Sequence, residues 1–312
     1  MRTQPHKFYY GFFGGQHTSG DPFDYIKVRP DQDPQQAHKQ TKESLQRSFE
    51  VNIKDSILHQ AAQRFQLSID NVYCVEVDFI NYGNFQMVYL ATISLNFGAP
   101  LQFTLLINHP HTSTDKVKAE YDNLRRLATI EPRFVVEPFA FYSSGQYGIY
   151  AAPYFDQALC IYSDRHDPCG KPWGIFDPHP FYHFESFYPE MRFTVTSTMI
   201  AMLVRYYDEE KQLGLAETHL SGDDFMLTQA FRHYAPETVL PNIRLISARD
   251  FIHTSLAGYL DLLRTEFQIG THYKDPAVIE GKIKVNHKSC LPLSIEEIEA
   301  GIELGLSLRK KA

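Results

Sequence analysis

Between Val72 and Ile107 lie three runs of β-branched and aromatic residues, Val72 to Ile80, Phe85 to Leu95 and Leu101 to Ile107. They are separated by Asn81-Tyr82-Gly83-Asn84 and Asn96-Phe97-Gly98-Ala99-Pro100, both rich in turn formers. Short strand-type runs punctuated in this way commit the stretch to a three-stranded antiparallel meander, which has to bury one face against something else. Thr114 to Leu127 supplies a cover, because Val117, Tyr121, Leu124 and Leu127 fall on one helical face. Two further strands, Phe134 to Tyr142 and Tyr147 to Ala152, flank Ser143-Ser144-Gly145-Gln146 and bring the expected sheet to five strands.

The rest of the chain divides around this block. Residues 1–34 are rich in Gly, Pro, Asp and Gln and read as an irregular arm whose aromatic cluster, Phe8 to Phe13, docks on the body. Leu45, Phe49, Ile53, Ile57, Ala61 and Phe65 recur at near-helical spacing. Residues 153–192 are broken by prolines and crowded with His, Tyr and Phe, which suits a connecting loop. Phe193 to Gln212 is an apolar helix, Phe225 to Leu227 and Ile243 to Ile246 are short strands, and helical spacing resumes over Phe251 to Phe267. In the last segment, Ser294 and Glu297 form a capping box ahead of Ile298, Ile302 and Leu306, with Arg309-Lys310-Lys311 at the negative helix end. The expected organisation is an N-terminal arm and helices over 1–70, a sheet lobe with one helix over 71–152, a linker over 153–192 and a helical lobe over 193–312.

Composition narrows the function classes. A net charge of −7 argues against a general nucleic-acid binder, which needs a basic face to neutralise phosphates. Four scattered cysteines without zinc spacing read as reduced thiols, and no apolar run reaches membrane-helix length, so a cytoplasmic protein is expected. Walker, Gly-x-Ser-x-Gly, His-Glu-x-x-His and dinucleotide-binding signatures are absent.

The order of three strands, a helix, two strands, a linker and a mostly helical part with two short strands resembles the protein-kinase-like superfamily, in the direction of the aminoglycoside and choline phosphotransferases. The resemblance implies an α+β, two-lobed protein-kinase-like fold: an antiparallel five-stranded sheet lobe plus a helical lobe. It places Glu120 where the family's helix glutamate holds a strand-three lysine, but Leu106 stands at the lysine position. The glycine-rich loop is reduced to Asn81-Tyr82-Gly83-Asn84. Over Glu217 to Leu227 the family's catalytic-loop pattern is half kept, with His219 in place of the catalytic aspartate and Asp224 in place of the metal-binding asparagine. Ser247 occupies the register position of the Mg²⁺-binding aspartate after the second short strand, and a slip of three residues offers Asp250 instead.

Phosphoryl transfer rests on charge positioned around the phosphates, so losing these groups together points to a pseudokinase that binds a protein partner or small molecule in an interlobe cleft, without a cofactor. The alternatives are a divergent phosphotransferase using ATP, Mg²⁺ on Asp224 and Asp250 and His219 as base, or an interaction module unrelated to kinases. His179, His183 and Glu185 form a weaker candidate metal set on a proline-broken loop. No nucleic-acid or membrane partner is expected.

Overall fold

The computed structural model describes residues 57–82, 86–109, 112–144, 147–155, 159–162, 174–176, 189–216, 224–228, 240–268 and 293–310, with residue 43 and the backbone of 10–13. The chain is α+β and divides into two compact units, one formed by residues 1–122 and 137–154, the other by 123–136 and 155–312.

The first unit contains β1 (Tyr10–Phe13), α1 (Leu58–Arg64), β2 (Val72–Tyr82), β3 (Gln86–Leu95), β4 (Leu101–Asn108), the first half of α2 (Thr114–Ile130), β5 (Ala140–Ser144) and β6 (Tyr147–Pro153). The sheet order is β1-β2-β3-β4-β6-β5. The five strands from β2 onward are antiparallel, as expected, and β1 adds a sixth strand, parallel to β2, with Tyr10 opposite Val75. The N-terminal aromatic segment therefore docks as a strand and not as irregular chain.

Period-two alternation decides what β3 and β4 bury, whereas β6 is enclosed on both faces. Phe103, Leu105 and Ile107 of β4 are almost fully enclosed and join Val75, Val77, Tyr89, Ala91, Ile149 and Ala151 in one core with Ile57, Leu58 and Ala61 of the α1 region. On the opposite face Tyr121 of α2 packs against Phe141 and Tyr150, with ring centroids 5.3 and 6.3 Å apart. Asn108, fully buried at the end of β4, fastens the link to α2: its Nδ2 donates to the carbonyls of His109 and Thr112, and its Oδ1 accepts the Gly148 N–H.

The strand expected from Phe134 starts only at Ala140. Pro132 to Phe134 form a 3-10 turn, Pro138 has no N–H to give a ladder, and Val136 N donates to Leu245 O, so residues 132–136 belong to the second unit.

The second unit holds β7 (Leu159–Tyr162), β8 (Gly174–Phe176), α3 (Pro189–Arg205), β9 (Leu213–Leu215), β10 (Phe225–Leu227), β11 (Ile243–Leu245), β12 (Phe251–His253), α4 (Leu256–Gln268) and α5 (Ile295–Lys310). Strands β11-β10-β7-β8 form one sheet and β12-β9 a two-stranded ribbon. Helix α3 ends before the expected Gln212, because Asp208 and Leu213 exchange backbone hydrogen bonds around a turn with Gln212 at φ 50°. Residues 251–253, expected as helix, pair with β9, and α4 begins after Ser255, whose Oγ accepts the Gly258 N–H.

Helix α5 lies along α3 with the same direction. A Cβ added at Gly301 would sit 2.5 Å from Ile200 Cβ, and one at Gly305 would sit 2.6 Å from Val204 Cβ, so the two glycines permit backbone approach that no side chain would allow. Ile298 and Ile302 are buried, whereas Ile295 in the first turn is exposed. The capping box forms as read: Ser294 N donates to Glu297 Oε2 at 2.6 Å, and Glu297 N donates to Ser294 Oγ at 3.2 Å. Glu297 is buried, and its other oxygen accepts from Thr196 Oγ1 at 2.9 Å.

Candidate functional site

The six residues singled out from the sequence are distributed over both units. In the first, Leu106 lies on β4 opposite Val88 and Tyr150, half-buried on the face away from the α1 core. Neither its own side chain nor those of these two cross-strand partners carry a charge. Glu120 is only 2% exposed, so it is not a solvated surface residue of the helix. It shares the buried face of α2 with Val117, Tyr121 and Leu124, the i, i+3, i+4 pattern of a helix side turned inward.

In the second unit, Asp224 and Ser247 are brought together by the β10–β11 hairpin. Phe225 pairs with Leu245, and Ile246 N donates to Asp224 O at 2.8 Å, so the residues just before β10 and just after β11 lie side by side. Both Asp224 and Ser247 are buried. Asp250 is exposed, and its main-chain oxygen accepts the Ala216 N–H at the edge of the β9–β12 ribbon. His219, and with it His179, His183 and Glu185, lie outside the described residues.

Two residues absent from the sequence reading organise this segment. Arg249 Nη2 lies 3.9 Å from Asp224 Oδ1, so a buried carboxylate faces an internal guanidinium. Asn123, one turn beyond Glu120 on α2, donates from Nδ2 to the carbonyls of both Ala248 and Arg249 at 2.9 Å. One further turn along, the Arg126 guanidinium stacks on the Phe251 ring at 4.1 Å and lies 3.7 Å from Asp208 Oδ2. Burial pushes the Arg126 pKa below its ordinary value, and the Asp208 charge offsets part of that fall. Residues 246–251 are thereby held from three sides: β10, β9 and the second half of α2. A sequence cue existed for Asn123, since asparagine in a helix interior is disfavoured unless its amide has local work.

As a Mg²⁺ site this donor set fits poorly. A Mg²⁺ ion wants oxygen ligands in octahedral array, but Asp224 faces a cation and Ser247 offers a neutral hydroxyl where a carboxylate would be needed. Among the described residues no group of three or more His, Cys, Asp or Glu side chains could hold a metal ion, and no helix is long and apolar enough to cross a membrane.

No protein-family model and no curated protein matches the chain. Among solved structures it is similar to a BubR1 kinase domain at 14% identity and a TM-score of 0.35, over 58% of this chain and 48% of that one. The similarity thus spans about half the length of that domain.

Proposed function

We propose that this chain is a kinase-like protein that has lost phosphoryl transfer and acts by binding a protein partner or a small molecule. The observation that carries the proposal is the burial of Asp224 against Arg249 beside Ser247, in the hairpin position where a kinase-like enzyme assembles its metal ligands. The element order supports the kinase-like part: strands β2 to β6 with α2 among them, then an apolar helix, then the β10–β11 hairpin with Ser247 two residues past its end. Leu106 adds to the argument, because an apolar side chain gives nothing to neutralise a phosphate. An internal guanidinium next to the buried Asp224 carboxylate does locally what a bound divalent ion would do, so folding of this corner does not wait for metal.

The test is thermal unfolding of the whole chain with ATP, in the presence and absence of Mg²⁺. The proposal expects no Mg²⁺-dependent rise in the midpoint. A rise that requires Mg²⁺ and is lost in the exposed-site variant Asp250→Ala would favour the metal-dependent phosphotransferase instead.

A further inference from the structure

Away from that hairpin, the end of α2, the Pro132–Phe134 turn, the end of α3 and β11 converge within the second unit. Arg133 grips Glu131 with both arms, Nε to Oε1 at 2.8 Å and Nη2 to Oε2 at 2.9 Å. Arg205 reaches the same carboxylate from α3, its Nη2 4.0 Å from Oε2, and donates to Ile130 O at 3.3 Å. The Tyr206 hydroxyl donates to Glu131 O at 2.8 Å and fixes the turn that carries both groups.

Arg244 enters from β11. Its position is set by the bridge between Val135 and Leu245 and by the 2.9 Å bond from Val136 N to Leu245 O, which place β11 directly along the 132–136 segment. Arg244 Nη1 donates to the carbonyls of Pro241 and Ile243 at 2.7 and 2.8 Å, and no carboxylate among the described residues pairs with it. Burial lowers the Arg244 pKa, the field of Tyr206 raises it in part, and the Arg133 cation lowers it again.

Adjoining segments thus carry three guanidiniums and one carboxylate: Arg133 and Arg205 share Glu131 and Arg244 pairs with none among the described residues, leaving an excess of two positive charges among these side chains. Donors remain to be used. A guanidinium has five N–H groups; Arg133 spends Nε and Nη2 on Glu131, and Arg244 spends only Nη1. A half-buried cation without a counter-charge is unfavourable, and a ligand bearing two negative charges would balance the excess.

We propose that Arg133, Arg205 and Arg244 form a binding site for a doubly charged tetrahedral oxyanion, a phosphate group, gripped chiefly by the open arms of Arg244 and Arg133. Planar guanidiniums suit such a group because they meet two of its oxygens at once. The phosphate is either the free ion or one carried on a phosphorylated side chain, and both present the same oxygens to the arginines. This site is independent of the reading of Asp224 and Arg249, so either can fail alone.

The experiment is isothermal titration of the whole chain with inorganic phosphate, with a phosphoserine peptide and its unphosphorylated form, and with chloride. Saturable binding of phosphate, or of the phosphopeptide alone, is expected, weakened at least about tenfold in Arg133→Gln and in Arg244→Gln and unchanged in Lys118→Gln. Arg133 is 70% exposed, so its variant should keep the fold even if Arg244→Gln does not. Tighter binding of the phosphopeptide assigns the site to phosphorylated side chains, and equal affinity assigns it to the free ion. Absence of saturable binding, equal response to chloride, or full affinity in Arg133→Gln would overturn the proposal.

Discussion

Asn123 Nδ2 stands 2.9 Å from the main-chain oxygen of Ala248, and the same nitrogen donates to the next carbonyl, that of Arg249. One side-chain amide on α2 thus fixes two consecutive peptide units in the segment that follows β11. Asn123→Ala removes both bonds and should lower stability by about 1–3 kcal/mol, the cost of leaving partly buried carbonyls unsatisfied. The local signature is faster amide hydrogen exchange across residues 246–251 than in the sheet of the first unit. Unchanged exchange in that segment would mean that β9 and β10 alone hold it.

The contact between α3 and α5 makes a steric prediction. Gly301→Ala would force a Cβ to 2.5 Å from Ile200 Cβ and 2.6 Å from Ser197 O, where backbone cannot yield cheaply. Overpacking of this kind costs about 1–3 kcal/mol, outweighing the roughly 1 kcal/mol by which alanine is the better helix former. The thermal midpoint should fall by a few degrees, and Ala300→Gly on the neighbouring position should not reproduce the effect through packing. A midpoint that rises in Gly301→Ala would show that the helices can separate without penalty.

Ile298 is fully buried against the same unit, so Ile298→Asp places a charge where only apolar atoms are displaced. The expectation is a loss of several degrees in the midpoint with no change in the size-exclusion mass, since the stripe is covered within the chain. A halved apparent mass with unchanged stability would instead identify α5 as a contact between copies.

Acid sensitivity follows from Glu131. The Arg133 hydrogen bond holds its carboxyl below the ordinary value of 4.5, against an opposing push from burial and with added help from the Arg133 and Arg205 charges. A carboxylate with a lowered folded pKa contributes its full stability above the unfolded value, and the contribution fades as pH falls through the folded one. Glu299, lowered chiefly by its bond from Arg264, titrates in the same sense. Urea midpoints measured from about pH 6 down to about pH 3 should therefore drop, and Arg133→Gln should make that drop shallower. Identical acid slopes for the two proteins would contradict the assignment.

Much of the first unit was readable because strands such as β4 alternate and the turns are chemically marked, as the Phe103, Leu105, Ile107 face shows. The capping box of Ser294 and Glu297 was readable for a similar reason: both partners lie within one helical turn. Strand β1 was not, because a four-residue edge strand is defined by a partner more than sixty residues away and glycine interrupts its pattern. The three-residue strands β9 and β12 are too short to show a period. At the candidate site the sequence pointed to acidic groups and their replacements, and so passed over Arg249 and Asn123, whose importance arises only when the β10–β11 hairpin and α2 meet the same segment.

The central claim is the loss of phosphoryl transfer, and phosphate release from ATP with Mg²⁺, followed over hours, tests it most directly. With a buried carboxylate already facing Arg249, Ser247 beside it and the apolar Leu106 on β4, release should not exceed that of buffer alone. Sustained release by the unmodified chain, abolished in Asp224→Ala and in the exposed-site variant Asp250→Ala while both remain folded, would contradict it.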